Sequence, residues 1–221
     1  MCKYCGKGFH RESTLATHVC VKKRRHMEAS ATGPRLGLQV FVRFYQITAI
    51  SKKTKTLDEF VESQFYIDFV KFGHHLSNLK PLYTDRFIDF VITTGVKIKD
   101  WTRDYVYDLY IDDLVKREPA DAGTERSIAN IIEWCDANGC EFTDFFSTVN
   151  VNQAAHMIKT GRISPWVMYL SDTGDALMSR FNEDHARLIG NIIDPSIWMK
   201  KFKQLPDEVE YIKGLLWQVG L

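Results

Sequence analysis

Four side chains that can bind a metal lie close together at the start of the chain: Cys2, Cys5, His18 and Cys20. Two cysteines separated by two residues place two thiolates on one tight turn, and a histidine on a short following helix can reach the same point. Thiolate and imidazole are ligands that Zn²⁺ prefers, and four of them form a tetrahedral set. The sequence therefore predicts one bound Zn²⁺ with these four residues as its ligands.

The choice of Cys20 as the fourth ligand rests on helix geometry, and His26 and His10 are the alternatives. Residues two apart on a regular helix point in nearly opposite directions, so Cys20 requires the helix to unwind after His18. Residues eight apart are separated by about 12 Å along the helix axis, so His26 requires a larger break. The smaller distortion favours Cys20.

Residues 1–18 resemble the zinc finger family whose members bind zinc through two cysteines and two histidines. Five residues match this family in order and in spacing: Cys2, Cys5, Phe9, Leu15 and His18. A segment of about 25 residues buries too little apolar surface to fold alone, so metal binding supplies much of its folding free energy. Phe9 and Leu15 would form the small apolar core beside the metal. The chain departs from the family at the fourth ligand and at Met1, where the first strand of a finger is nearly absent.

The resemblance also implies which side of the finger would face DNA. In DNA-binding members of the family three helix positions face the base edges. Those positions hold Arg11, Thr14 and Thr17 in this chain. Arg11 is the base-facing candidate because a guanidinium can donate two hydrogen bonds to a guanine edge. One finger contacts only about 3 base pairs, so further affinity would have to come from other basic residues.

The charge of the chain is near zero but unevenly distributed. Residues 1–55 carry twelve Lys/Arg and two acidic residues, a net charge of +10, and residues 56–221 carry a net charge of −9. A basic head on an acidic body favours a polyanion, DNA or RNA, as the partner of the head. The alternative is that head and body attract each other within one molecule or one assembly. The backbone-contacting candidates are Lys3, Lys7, Lys22, Lys23, Arg24 and Arg25.

The rest of the chain has the pattern of successive short helices. Apolar residues recur at helical spacing, and capping residues such as Thr56 and Ser164 precede several of the segments. The sequence predicts a mainly α fold, a multi-helix bundle with a small N-terminal zinc finger. A short hairpin near 36–50 is the alternative for that segment. We expect three parts: the finger and its basic tail at 1–26, a linker at 27–37 and a helical domain at 38–221.

The body carries no recognisable enzymatic motif. It has no phosphate-binding loop, no zinc-protease motif and no nucleophile elbow, and its acidic residues fit a solvated helix face. The five tryptophans lie in apolar helical patterns and are predicted to be core. Cys135 and Cys140 flank a helix end, and a second metal site there lacks two ligands. We therefore expect a protein that is not an enzyme.

The body also resembles, in general style, small accessory proteins of T4-like bacteriophages. The similarity lies in the segment 158–164 and the helices around it, which resemble the helicase-loader family of these phages. It implies DNA binding and contacts with replication proteins. The first hypothesis is a zinc-containing nucleic-acid-binding accessory protein in the cytoplasm (of the host, for a phage). The alternative is a virion or assembly protein whose finger and basic tail dock on a neighbouring subunit. Protein partners are expected on the acidic body, and no membrane association is expected.

Overall fold

The structure, a computed structural model, describes residues 1–50 and 53–221. These residues form fifteen α-helices and two short 3₁₀ helices, and none of them lies in a β-strand. The prediction of a mainly α fold is confirmed. A hairpin near 36–50 is wrong, because one continuous helix covers Thr32–Thr48. The chain divides into two compact units, Met1–Val106 and Tyr107–Leu221.

The first unit contains six α-helices and a 3₁₀ turn at Ile98–Asp100. Its α-helices are α1 (Glu12–Thr17), α2 (Val21–Met27), α3 (Thr32–Thr48), α4 (Leu57–Glu62), α5 (Tyr66–Leu79) and α6 (Thr84–Thr93). Helices α3 and α5 form the most extensive helix pair of the unit. Two buried aromatic side chains of α5 pack on Trp101, whose ring centroid lies 5.2 Å from that of Phe72 and 6.0 Å from that of Phe69.

Glycines set the distance between α3 and α5. A Cβ atom at Gly73 of α5 would lie 2.2 Å from the carbonyl oxygen of Gly33 and 2.7 Å from the amide nitrogen of Gly37, both on α3. Helix α3 begins inside the predicted linker 27–37, and Gly33, Pro34 and Gly37 are buried. The small residues that predict a linker thus form a helix contact. The three-part division of the chain stays a prediction.

The second unit contains the remaining helices and a 3₁₀ turn at Phe142–Asp144. Helix α7 (Asp104–Arg117) starts just before the division and continues into this unit. The others are α8 (Ala120–Asn138), α9 (Phe145–Thr148), α10 (Val151–Lys159), α11 (Pro165–Leu170), α12 (Asp172–Met178), α13 (Glu183–Ile189), α14 (Pro195–Gln204) and α15 (Pro206–Gln218). Helix α11 contacts α8, α12 and α15, and its Trp166 is fully buried.

A buried ion pair joins two parts of the second unit. The Arg126 guanidinium donates two hydrogen bonds to the Glu118 carboxylate, and its Nε donates to the Gly161 carbonyl over 2.7 Å. Both side chains are almost completely buried, at 6% and 1% exposure. Ser164 Oγ adds a hydrogen bond to the same carboxylate over 3.2 Å. Because the Arg126 guanidinium and the Glu118 carboxylate are both hydrogen-bonded, this buried pair fixes the turn before α11 against α8.

Local sequence signals place several helix ends correctly. The Thr56 side chain accepts a hydrogen bond from the Glu59 amide in a capping box, and Ser164 caps α11 with Pro165 as its first residue. Gly139 ends α8 at φ +66°. Helix α8 begins directly after Pro119. Trp217 is wrong as a core residue, since 82% of it is exposed.

Among the described residues, no helix combines the length and the hydropathy that crossing a bilayer requires.

Candidate metal centre

The structure brings together the four predicted ligands. The ligand atoms of Cys2, Cys5, His18 and Cys20 all lie within 4.8 Å of one another. The Cys5 sulfur lies 3.4 Å from Nε2 of His18. In a tetrahedron with Zn–S and Zn–N bonds of ordinary length, ligand atoms are roughly 3.5–3.8 Å apart. The cluster therefore has the donor set and nearly the dimensions that such an ion requires.

The two cysteines of the N-terminal turn lie on a closed backbone loop. The Gly6 amide donates to the Cys2 carbonyl and the Cys2 amide donates to the Lys7 carbonyl, each over 2.9 Å. Gly6 adopts a φ of +69°, a left-handed conformation that glycine reaches without strain. This loop turns the Cys5 side chain back towards Cys2, as a shared metal site requires.

The electrostatics of the turn favour one thiolate and oppose a second. Backbone hydrogen bonds from Tyr4 and Cys5 lower the pKa of Cys2 to about 7. A backbone hydrogen bond from Lys7 lowers the pKa of Cys5, but desolvation and the neighbouring Cys2 and Cys20 sulfurs outweigh it, and the net pKa is raised. Thiolates packed this closely repel one another unless a cation lies among them. The donor set thus fits a divalent metal, which binds cysteine in the deprotonated form.

The helix breaks near the point that the choice of Cys20 requires. Helix α1 ends at Thr17, and His18 is already extended, with φ −67° and ψ 120°. Cys20 is also extended and is the N-cap of α2, where its sulfur accepts a hydrogen bond from the Lys23 amide over 3.4 Å. The helix unwinds one residue earlier than predicted, at His18 itself, and the extended backbone brings His18 and Cys20 to the same point.

A small apolar contact supports the cluster. The Phe9 and His18 ring centroids are 4.7 Å apart, and both side chains are partly buried. Leu15 is also partly buried. Phe9 thus packs on the imidazole of one candidate ligand, and the part of Leu15 in the core stays a prediction.

The alternative ligands lie elsewhere. His26 Nε2 is 3.3 Å from the Asp58 carboxylate, and its ring packs on Tyr4 at 5.0 Å between centroids. His10 is exposed and lies outside the cluster. Within the described ranges 1–50 and 53–221, this is the one group of three or more potential metal ligands among histidine, cysteine and acidic residues. Cys20 is therefore the fourth candidate ligand.

Cys135 and Cys140 form no second centre of this kind. The Cys140 amide donates to the Cys135 carbonyl over 3.2 Å at the end of α8, where Gly139 turns the chain. Burial raises the pKa of Cys135 to about 12, which disfavours the thiolate that a metal needs. Among the described residues, no group of three or more potential ligands includes Cys135 or Cys140.

No family model, curated protein or solved structure matches this chain. The centre is therefore interpreted from its own geometry, and its resemblance to a finger rests on the residues named above.

The basic residues of the head fall into two groups, and the first is engaged within the chain. Lys22 Nζ lies 2.5 Å from the Glu62 carboxylate, and Lys23 Nζ donates to the His18 carbonyl over 3.0 Å. Arg25 donates to the Val61 carbonyl over 2.6 Å. Three of the four consecutive basic residues at 22–25 therefore hold α2 in place. The Lys22–Glu62 pair is also an attraction between the basic head and the acidic body, as the hypothesis of attraction within one molecule expects.

The second group of basic residues points outward. Lys3, Lys7, Arg11 and Arg24 are exposed. Lys3 lies over the Tyr4 ring at 5.0 Å and Lys7 over the Phe9 ring at 5.7 Å, contacts that leave the ammonium groups in solvent. Arg11 is the residue that precedes α1. These four exposed side chains, all within residues 1–26, are here called the basic face.

Several acidic residues are paired with cations. Asp89 accepts two hydrogen bonds from Arg43, and Asp112 and Asp113 lie 2.6 and 2.7 Å from Lys116 and Arg117. The Asp112–Lys116 and Asp113–Arg117 pairs, each one helical turn apart, are ordinary features of a solvated helix face. The expectation of a protein without enzymatic activity stays a prediction.

Proposed function

We propose that this protein binds Zn²⁺ through Cys2, Cys5, His18 and Cys20. We also propose that it binds nucleic acid through the basic face of residues 1–26. The observation that supports it most strongly is the convergence of the four ligand atoms within 4.8 Å. Three thiolates and one imidazole form a soft donor set, and a closed set of four such ligands is typical of structural zinc sites. The metal would hold the first 20 residues in their folded form.

The exposed basic face supports the choice of a polyanion partner. Lys3, Lys7, Arg11 and Arg24 are exposed around the module. Lysine and arginine near phosphates release condensed counterions, which gives binding its salt dependence. The proposed backbone contacts come from Lys3, Lys7 and Arg24, and Arg11 is the residue proposed to face base edges. Lys22, Lys23 and Arg25 contribute less, because they are engaged within the chain.

Salt-dependent binding of the zinc-loaded protein to short duplex DNA and to RNA tests this proposal. With three or four phosphates neutralised, the slope of log K against log salt should be about −3 to −4 on duplex DNA. Serine at Lys3, Lys7, Arg11 and Arg24 should remove most of that slope while zinc is retained. A matched control places serine at four exposed lysines outside the finger, Lys71, Lys97, Lys99 and Lys200. Absence of binding to DNA and RNA at about 50 mM salt would contradict the proposal.

An assembly protein is the second candidate, and the exposed aromatic residues of α15 favour it. Trp217 is 82% exposed and Tyr211 is 61% exposed, and large exposed apolar side chains are typical of surfaces that bind protein. In this case the basic face of the finger would dock on the acidic surface of a neighbouring subunit. Sedimentation of the purified protein distinguishes the two, because assembly predicts a concentration-dependent increase in mass without nucleic acid.

A further inference from the structure

The first turn of helix α2 is hydrogen-bonded to two of the candidate metal ligands. The Cys20 sulfur is both a candidate ligand and the acceptor of the hydrogen bond from the Lys23 amide, so it caps the helix. The Lys23 ammonium donates to the carbonyl of His18, the other ligand at this point. The position of the first turn of α2 is therefore set by the two ligands that precede it.

The same helix is fastened to the rest of the first unit by its basic side chains. Lys22 pairs with Glu62 at the end of α4 over 2.5 Å. Arg25 donates to the Val61 carbonyl and lies 4.1 Å from the centroid of the Tyr66 ring. His26 Nε2 lies 3.3 Å from the Asp58 carboxylate. Each of these partners lies on α4 or at the start of α5.

Helix α2 has too little structure of its own to keep this position unaided. It has seven residues, none of them fully buried, and isolated helices shorter than about 12 residues are marginal in water. Its ion pair with Glu62 is exposed, and such pairs contribute little. The order of α2 must therefore come from contacts at both ends, including the cap at Cys20.

We propose that zinc occupancy controls how much of the basic run is available to a polyanion. This rests on the proposed function, in which zinc is the metal and nucleic acid is the partner. With Cys20 and His18 held at the centre, α2 is capped and Lys22, Lys23 and Arg25 are bound within the chain. Without the metal, residue 20 is no longer held, α2 detaches from α4 and the three cations become free. Zinc thus masks three positive charges next to the exposed basic face.

Loss of zinc should therefore change both the salt dependence and the sequence dependence of nucleic-acid binding. Three additional phosphate contacts would steepen the salt slope by about 2 to 3 on duplex DNA. The additional binding would be insensitive to base sequence, because phosphate contacts carry no sequence information. The metal-free protein should therefore bind duplex DNA with a steeper slope and with less effect of Arg11→Ala.

Hydrogen exchange on the full-length protein, zinc-loaded and after removal of zinc by a chelator, tests the mechanism without reference to nucleic acid. Amides of residues 21–27 should be protected with zinc and should exchange at least about tenfold faster without it. Residues 66–79 of α5 serve as the internal reference and should keep their protection. Re-addition of zinc should restore protection at 21–27. Unchanged protection of 21–27 after zinc removal, verified by elemental analysis, would overturn the proposal.

The salt slope on duplex DNA provides the second measurement. A steeper slope in the metal-free form supports the masking of three cations, and an equal or shallower slope overturns it. The variant that combines Asp58→Asn with Glu62→Gln should steepen the slope of the zinc-loaded protein by only about 1, because it releases Lys22 while Lys23 and Arg25 keep their carbonyl contacts. If neither form binds nucleic acid, the proposed partner is wrong, whereas the exchange experiment still decides whether zinc holds α2.

Discussion

The guanidinium of Arg25 lies 4.1 Å from the centroid of the Tyr66 ring while it donates a hydrogen bond to the Val61 carbonyl. This residue belongs to a run of four basic residues that the sequence indicates as a phosphate-binding tail. The stacked and hydrogen-bonded geometry instead uses Arg25 to attach α2 to the neighbouring helices. A guanidinium that the sequence assigns to phosphate binding is therefore already engaged in contacts within the chain.

Arg25→Ala should loosen α2 more than Lys22→Ala does. Loss of a hydrogen bond and of a cation–π contact should cost about 1–2 kcal/mol in the free energy of opening α2. The exposed Lys22–Glu62 pair should contribute less, because solvent screens it. Hydrogen exchange of residues 21–27 in the zinc-loaded protein measures both. Faster exchange in Lys22→Ala than in Arg25→Ala would show that the ion pair, and not the stacked guanidinium, holds the helix.

Glu59 should titrate well below an ordinary glutamate. A hydrogen bond from Lys55 and a backbone hydrogen bond from Thr56 lower the pKa of Glu59 to about 2. Because the folded-state pKa is depressed, the stabilisation from this carboxylate is present above its unfolded pKa of about 4.3 and is lost as pH falls towards 2. The chemical shift of the Glu59 carboxyl carbon reports this directly. In Lys55→Met the midpoint should rise towards 4, and a wild-type midpoint above 4 would contradict the assignment.

The contact between α3 and α5 should not tolerate a methyl group at Gly73. A Cβ atom there would lie 2.2 Å from the Gly33 carbonyl oxygen, so Gly73→Ala should destabilise the first unit by about 1–3 kcal/mol. Gly214 of α15 is a matched helical control with no atom within 4 Å of the added Cβ. Gly214→Ala should stabilise its helix by about 0.5–1 kcal/mol. Chemical denaturation measures both, and equal effects would argue against a close helix contact at Gly73.

Local chemistry explains which features the sequence predicts. The cysteine spacing and the capping residues Thr56 and Ser164 act within a few residues, and the structure has each of them in the expected role. The choice of the fourth ligand also follows from local geometry, since the end of α1 at Thr17 lets the chain bring Cys20 to the other three.

Features that depend on distant partners are beyond such reasoning. The partners of Lys22 and Arg25 lie 40 and 36 residues away in sequence, and no spacing rule indicates them. Likewise the segment that contains Gly33 and Gly37 has the composition of a linker. Its contact with a second helix depends on Gly73, which is distant in the sequence. Trp217 follows an apolar helical pattern, yet it is exposed because no described element covers that side of α15.

The zinc content of the purified protein tests the central claim most directly. Protein prepared without added metal should contain about one zinc per chain by elemental analysis. Cys5→Ser and Cys20→Ser should each lose the metal and the fold of the first 20 residues while the helical content of the body persists. His26→Ala is the control, because His26 contacts Asp58 and Tyr4, and it should retain one zinc. Loss of zinc in His26→Ala together with its retention in Cys20→Ser, or absence of zinc from the wild-type protein, would contradict the assignment of the centre.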